Sequence, residues 1–169
     1  MPDEPLTTDT AEIFVENDEF TIGDLENPNH PAYTGDMPTP DVTGLIAAGD
    51  GAVQIVCGGR TSDVTVTVQT WSAPPPADLD TWEDIAEVSV IWPVPTVQLV
   101  GSISSPPEAI PVTLPKSDGD SFRVRAHVVN RDLEDGESHL VQIWPAPPAE
   151  PVLLKATDEF GTHERRPPD

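Results

Sequence analysis

The sequence predicts an all-β protein, an antiparallel β-sandwich of about eight strands with little helix. Three observations carry that expectation. Apolar and polar residues alternate with a period of two along most segments, which gives each strand one buried and one solvated face. Turn formers, 21 prolines and 11 glycines among them, punctuate those segments at short intervals, as antiparallel strands require. Strand-like and helix-like stretches do not take turns along the chain, so nothing points to a parallel α/β core.

Residues 1–10 read as a flexible N-terminus, 11–160 as one sandwich domain and 161–169 as a flexible tail. A first strand is expected over 11–22, AEIFVENDEFTI, broken near Asn17-Asp18-Glu19. The proline-bearing stretch 26–44 reads as a long loop, and GLIAAGDGAVQIV as a hairpin turning at Gly49-Asp50-Gly51, because such a turn needs residues that tolerate positive φ. In DVTVTVQTW, Val64, Val66 and Val68 share one face while Thr65, Thr67 and Gln69 share the other. DLDTWEDIAEV is the best helical segment, one or two turns capped by Asp80 or Thr81. EVSVIW puts Val88, Val90 and Trp92 together. PVTLPKSDGDSFRVR reads as a second hairpin, bending at Ser117-Asp118-Gly119-Asp120. In SFRVRAHVV, Phe122, Val124, Ala126 and Val128 face inward and Arg123, Arg125 and His127 face water. HLVQIW suggests deeper burial, and VLLKATDEF reads as a last strand.

Three of these strands close on tryptophan and proline: VQTWSAPPP, VSVIWPVP and LVQIWPAPP. Proline has no N–H to give a ladder, so it ends pairing and protects the edge, while the preceding indole covers the end of the core. A ligand for a polyproline-binding groove has to be extended and exposed, whereas these segments run directly on from strands that must hold register. They read as strand stops.

Thirty acidic residues stand against eight lysines and arginines, a formal charge of −22. Residues 1–59 hold twelve of the acids, from Asp3 to Asp50, and no lysine or arginine. Such a surface repels nucleic acid, whose phosphates need basic side chains to displace their counterions, and it accelerates association with basic partners. Two clusters stand out as candidate partner-binding sites: Asp132, Glu134, Asp135 and Glu137 in NRDLEDGESH, and Glu16, Asp18, Glu19, Asp24 and Glu26 in VENDEFTIGDLEN. Carboxylate-bearing loops meet grooves built for phosphate because the same lysines and arginines serve both. The competing reading of the charge is solvation, including that of a high-salt proteome.

Neither a catalytic constellation nor a cofactor motif is legible. His30, His127, His139 and His163 lie apart, with no His-x-x-x-His or Cys-x-x-Cys spacing that would indicate zinc. Asp118-Gly119-Asp120 is a turn with too few ligands for a calcium loop. Arg123 and Arg125 beside His127 would suit a small anion, but as the outward face of a strand they need no function. Cys57 is the single cysteine, which excludes an intramolecular disulfide, and it lies in the apolar run AVQIVCGG; it is expected to be a buried small hydrophobe. No signal-like N-terminus and no apolar span of membrane length are present, so the expected location is the cytoplasm.

The order of segments carries a resemblance. EFTIGD, then GLIAAGDGAVQIVCGG, then a Val/Thr strand, then PVTLPKSDGDSFRVRAHVV is similar to the bacterial competence-associated DNA-entry nuclease inhibitor family and its uncharacterised relatives. The points of contact are Phe20, Ala47, Ala48, Asp50 and Gly51, then Leu114, Pro115, Gly119 and Phe122, within roughly residues 12–145. The resemblance implies a small β-rich cytoplasmic protein, not an enzyme, that binds and silences a nuclease, or an immunity protein of that type. It assigns no inhibitory residue to any position here. The proline-rich strand ends, the tail after Pro151 and the greater acidity are departures from the family.

The expected function is therefore that of an acidic inhibitor or immunity protein blocking a basic protein, a nuclease or another nucleic-acid-binding protein, without binding nucleic acid or membrane itself. Two alternatives share the same charge: a mobile-element DNA mimic that disarms a defence nuclease, and a structural or assembly module whose acidity is only solvation.

Overall fold

The computed structural model describes residues 4–16, 18–35, 38–58, 61–101, 109–133 and 135–165. Within them lie eleven strands: β1 (Thr7–Glu16), β2 (Glu19–Gly23), β3 (Ile46–Gly49), β4 (Ala52–Val56), β5 (Thr61–Thr70), β6 (Asp84–Ile91), β7 (Thr96–Val100), β8 (Ile110–Thr113), β9 (Ser121–Val129), β10 (Ser138–Pro145) and β11 (Val152–Ala156). Two short helices accompany them, α1 (Pro31–Thr34) and α2 (Glu159–Glu164). The all-β sandwich is as expected, with more strands than expected. The segment 11–22 divides into β1 and β2 on different sheets, and β3, β7, β8 and β11, at four or five residues each, are too short to display much alternation.

One sheet has the order β1-β5-β10-β9-β6-β11 and the other β3-β4-β2-β7-β8. Among the described residues β5 with β10 is the one parallel pairing. The hairpin at Gly49-Asp50-Gly51 joins β3 to β4 as anticipated. The bend at Ser117–Asp120 is not a hairpin, because β8 and β9 lie in different sheets. The segment expected to hold a helical turn carries a non-helical turn at 79–81, its N–H groups bound by Asp78 rather than by Asp80 or Thr81, before β6, and the helices lie elsewhere. No described helix is long and apolar enough to cross a membrane.

The core fills the space between the sheets. Val64, Val66 and Val68 of β5, Val124 and Ala126 of β9, and Val141 and Ile143 of β10 meet Phe20 and Ile22 of β2, Val53 and Ile55 of β4, and Val97 and Leu99 of β7. Trp71, Trp92 and Trp144 all lie at the end where β5, β6 and β10 finish, and all are buried. The Trp92 indole N–H donates to Gly51 O at 2.9 Å, so this ring bridges the two sheets at that end.

β5 and β6 run the same way, so the chain returns between them over the outer face of the six-stranded sheet, and it crosses that face again between β10 and β11. There the expectation of a wet face fails: Arg123, Arg125 and His127 are 5%, 6% and 1% exposed. Both arginines donate to Glu87, through Nε at 3.1 and 2.8 Å. Arg125 also donates to Pro75 O at 3.0 Å, and Arg123 to Ala149 O at 3.0 Å and Glu150 O at 2.8 Å. Extended proline-rich backbone has no internal hydrogen bonds, and the planar forks of the arginines supply donors to its carbonyls. Arg125 stacks 4.9 Å from the Trp144 ring centroid, and His127 Nδ1–H donates to Leu140 O at 2.9 Å beside Trp82. Two of the Trp-Pro corners are therefore strand stops that also launch return crossings gripped by arginine.

Candidate partner-binding surface and its buried supports

The predicted carboxylates divide between the two ends of the sandwich. Glu16 closes β1, and Asp18 and Glu19 open β2, with Asp18 in the left-handed region at φ 66°. Glu19 is half-buried and accepts from the Gln54 side chain; burial raises its pKa, with the Asp18 charge adding and the Gln54 bond opposing. Asp24 and Glu26 follow the other end of β2, about 17 Å away at the rise of an extended strand. The cluster read from 16–26 is thus two groups.

In the loop between β9 and β10, Asp135 is exposed and Glu134 lies outside the described residues. Asp132 directs both oxygens to α2, accepting from the backbone N–H of Glu159 and Phe160 at 2.9 Å each. Glu137 is buried, and its carboxylate faces inward.

Around Asp24 and Glu26 the structure assembles carboxylates that the sequence reading assigned only to turns. Asp24 N–H donates to Gly51 O, and Trp92 N–H to Asp120 O; Trp92 therefore ties the 49–52 turn and the 117–120 bend to one end of the sandwich. Asp50, Asp118 and Asp120 are exposed there. Between the Trp92–Pro95 and Leu114–Asp120 segments opens a cleft of about 500 Å³, lined by Val94, Leu114, Pro115 and Lys116 over a floor of Trp92 and Phe122. It offers an apolar wall with one acid, Asp120, and one base, Lys116, along its lining; the wall suits the aliphatic stem of a partner's lysine or arginine and Asp120 its charged head.

The opposite end is held by Arg131, whose side chain is fully buried. Its Nε and Nη2 donate to the two oxygens of Asp158 at 2.8 and 2.9 Å, Nη1 to Gly44 O at 2.7 Å, and Nη2 to Asp84 at 3.3 Å. Asp84 also accepts from the N–H of Thr157 and Asp158 and from Arg165, and the Phe160 ring lies 4.8 Å from the guanidinium. One guanidinium so fastens β6, the Gly44 turn and the α2 cap together. Burial works to raise the Asp158 pKa, but the Arg131 bonds and charge with the Gly161 N–H outweigh it and hold the carboxyl low. At Asp84 burial prevails and raises it.

Beside Arg131, Cys57 after β4 meets Glu137 and His139 of the β10 strand and its approach. Donor atoms of all three lie within 4.8 Å of one another, and all three residues are buried. His139 Nε2 lies 2.6 Å from Glu137 Oε2, and Gly58 N–H donates to Glu137 Oε1 at 2.9 Å. Glycine is required at 58, because a Cβ there would fall 1.9 Å from Arg131 O. The Phe20 ring stands edge-on to His139 at 5.1 Å. Burial pushes the Cys57 thiol well up, with the neighbouring Glu137 adding; burial pulls the His139 imidazole down. Cys57 is a buried small residue as expected, but two potential ligands stand against it that sequence adjacency could not reveal.

No family model matches the chain, and no curated protein matches it in sequence. Two solved structures share the fold. The crystal structure of ComJ, inhibitor of the DNA-degrading activity of NucA, from Bacillus subtilis, covers 82% of this chain and 96% of its own at 15% identity, with a TM-score of 0.58. The protein of crocagin biosynthetic gene J covers 84% of this chain and 100% of its own at 13% identity, with a TM-score of 0.54. The resemblance carried by the order of segments thus holds at the level of the fold.

Proposed function

We propose that this protein is a non-enzymatic inhibitor that binds a basic, DNA-degrading nuclease and blocks it. The observation that carries the reading is the fold shared with ComJ, an inhibitor of the DNA-degrading activity of NucA. Surface carboxylates, four of them exposed and Asp24 half-buried, support it. Asp24, Glu26, Asp50, Asp118 and Asp120 gather about the Trp92 end of the sandwich, beside a cleft sized for a basic side chain. Lysines and arginines that a nuclease uses to hold phosphate meet these carboxylates instead, and long-range attraction speeds the encounter. Asp135, exposed at the other end, adds to the field without sharing the contact.

The test is inhibition of DNA cleavage by a panel of basic nucleases, NucA of Bacillus subtilis among them, with association measured across a salt series. The expected result is inhibition that weakens as salt rises, and its loss when Asp24, Glu26, Asp50, Asp118 and Asp120 are neutralised together in a variant that melts like the parent. Absence of inhibition at every salt concentration, with light scattering showing a large stable homo-oligomer, favours the assembly module and overturns the proposal.

A further inference from the structure

We propose that Cys57, Glu137 and His139 form a binding site for one zinc ion. The site spans both layers of the sandwich: Cys57 follows β4 of the five-stranded sheet, whereas Glu137 and His139 belong to the β10 side of the six-stranded sheet. Thiol sulfur, carboxylate oxygen and imidazole nitrogen lie within 4.8 Å of one another. Zinc holds sulfur at about 2.3 Å and nitrogen or oxygen at about 2.0 Å, so tetrahedral ligands sit roughly 3.3–3.6 Å apart. The observed donor spacing, from 2.6 Å up to no more than 4.8 Å, brackets that geometry. The Glu137–His139 pair, at 2.6 Å, has to open by less than about 1 Å to admit the ion.

The donor types select the metal. Magnesium and calcium demand shells of oxygen, whereas a thiolate with an imidazole and a carboxylate is the set of a borderline ion such as zinc. Charge is consistent with it too. Thiolate and carboxylate together offset the two charges of the ion, leaving a neutral buried complex, and the neighbouring guanidinium of Arg131 is already paired with Asp158 and Asp84. Binding displaces the Cys57 proton to solvent, and the imidazole, ligating through Nε2, carries its proton on Nδ1.

The chemistry of the trio adds to the distances. A thiol, a carboxylate and an imidazole are buried together, although burying polar and ionisable groups is costly unless they are paired or coordinate a metal. A scaffold that only had to fill the space beside Phe20 would be served as well by leucine. Among the described residues no further cysteine, histidine or acid joins the three, so the fourth corner falls to an exchangeable ligand such as water, as in zinc centres with three protein ligands.

Cobalt(II) is the probe. Full-length protein stripped with chelator is given cobalt both in the folded state and during refolding from urea, which removes slow entry into a buried site as a variable. The expected result is a sulfur-to-cobalt charge-transfer band with the visible bands of four-coordinate cobalt, saturating at one ion per chain and bleached by zinc. Cys57 is the only cysteine, so Cys57→Ser abolishes the charge-transfer band; His139→Gln shifts the titration to higher cobalt. No charge-transfer band by either route, or a band that survives Cys57→Ser, overturns the proposal. Alkylation of Cys57 in the parent protein, in urea low enough for transient opening, gives a readout independent of the variants. Zinc at about 100 times its Kd slows it about 100-fold if it binds only the folded form, and an unchanged rate overturns the site.

Discussion

At the end of the sandwich where β9 turns into β10, Asp84, Asp132 and Asp158 direct their oxygens to Arg131, Arg165 and backbone N–H groups. At the Trp92 end, Glu26, Asp50, Asp118 and Asp120 face solvent, and the seal is made by an indole and prolines. The carboxylates of the two ends do different things. At one end they are scaffold, placed around a buried cation that would be untenable without them. At the other they are surface, and the bonds that they do accept, Glu26 N–H to Asp24 and the Asn29 amide to Asp50, are local ones to neutral donors.

The largest expected effect comes from removing the cation. Arg131→Met leaves buried Asp158 without its cation and Asp84 with only Arg165, and breaking a buried pair in this way costs about 3–5 kcal/mol. The urea midpoint should fall accordingly, with α2 and β11 losing amide protection first. At the other end the matching change, Lys116→Met, removes an exposed base and should move stability by no more than about 0.5 kcal/mol. Equal losses from the two substitutions would dissolve the distinction.

Between the ends, the face beneath the proline crossings makes its own prediction. Burial lowers the His127 pKa to about 4, against a smaller opposing effect of its bond to Leu140 O, with Arg125 lowering and Asp78 and Glu87 raising it. A histidine whose folded pKa is depressed favours the folded state above its ordinary value near 6.5. That stability is lost as pH falls from about 6.5 towards 4, by up to about 3 kcal/mol. Unfolding measured across this range should show a shallower slope in His127→Gln than in the parent. An unchanged slope would mean that the crossings open to water there. The acidic loops at either end do not enter this effect.

A smaller loss is expected at Gly161. A Cβ there would meet Asp84 Oδ2 at 2.6 Å, Arg131 Nη2 at 2.7 Å and Asp158 Oδ1 at 2.8 Å. Gly161→Ala should therefore cost about 1–3 kcal/mol as an overpacked site, read as a lower melting temperature. A neutral result would show that the ion network yields to a methyl group, and so is looser than its distances imply.

How much of this was legible in the sequence follows from how local each feature is. The alternation in DVTVTVQTW and SFRVRAHVV placed β5 and β9, and Gly49-Asp50-Gly51 placed the β3–β4 hairpin, because pleat and turn are written within a few residues. Alternation cannot say what covers the outward face. Arg123, Arg125 and His127 read as wet because the prolines that bury them are distant in sequence and return only through the topology of β5, β6 and β10. Cys57 and His139 meet across sheets in the same way. Asp158 capping α2 did have a local signal, an aspartate accepting from an N–H three residues on, but the apolar run of β11 before it drew that segment into a strand reading. Of the predicted carboxylates, Glu26 is exposed and Asp24 half-buried, whereas Glu137 is buried and Asp132, though exposed, caps α2, each with partners that sequence proximity does not name.

The finest division between the two ends is a pair of single carboxylates. Asp132 accepts from two N–H groups at the start of α2, so Asp132→Ala removes a cap and should cost about 1 kcal/mol. Asp118 is exposed on a bend, and Asp118→Asn should leave stability within about 0.5 kcal/mol of the parent. Association with a basic nuclease should respond the other way. Asp118→Asn slows the on-rate and flattens its salt dependence, because one charge is gone from the steering surface; Asp132→Ala leaves the rate largely as it was, because its charge stands at the other end of the sandwich, away from the contact. If both variants slow association equally, net charge alone governs the encounter, and the Trp92 end has no claim to be its site.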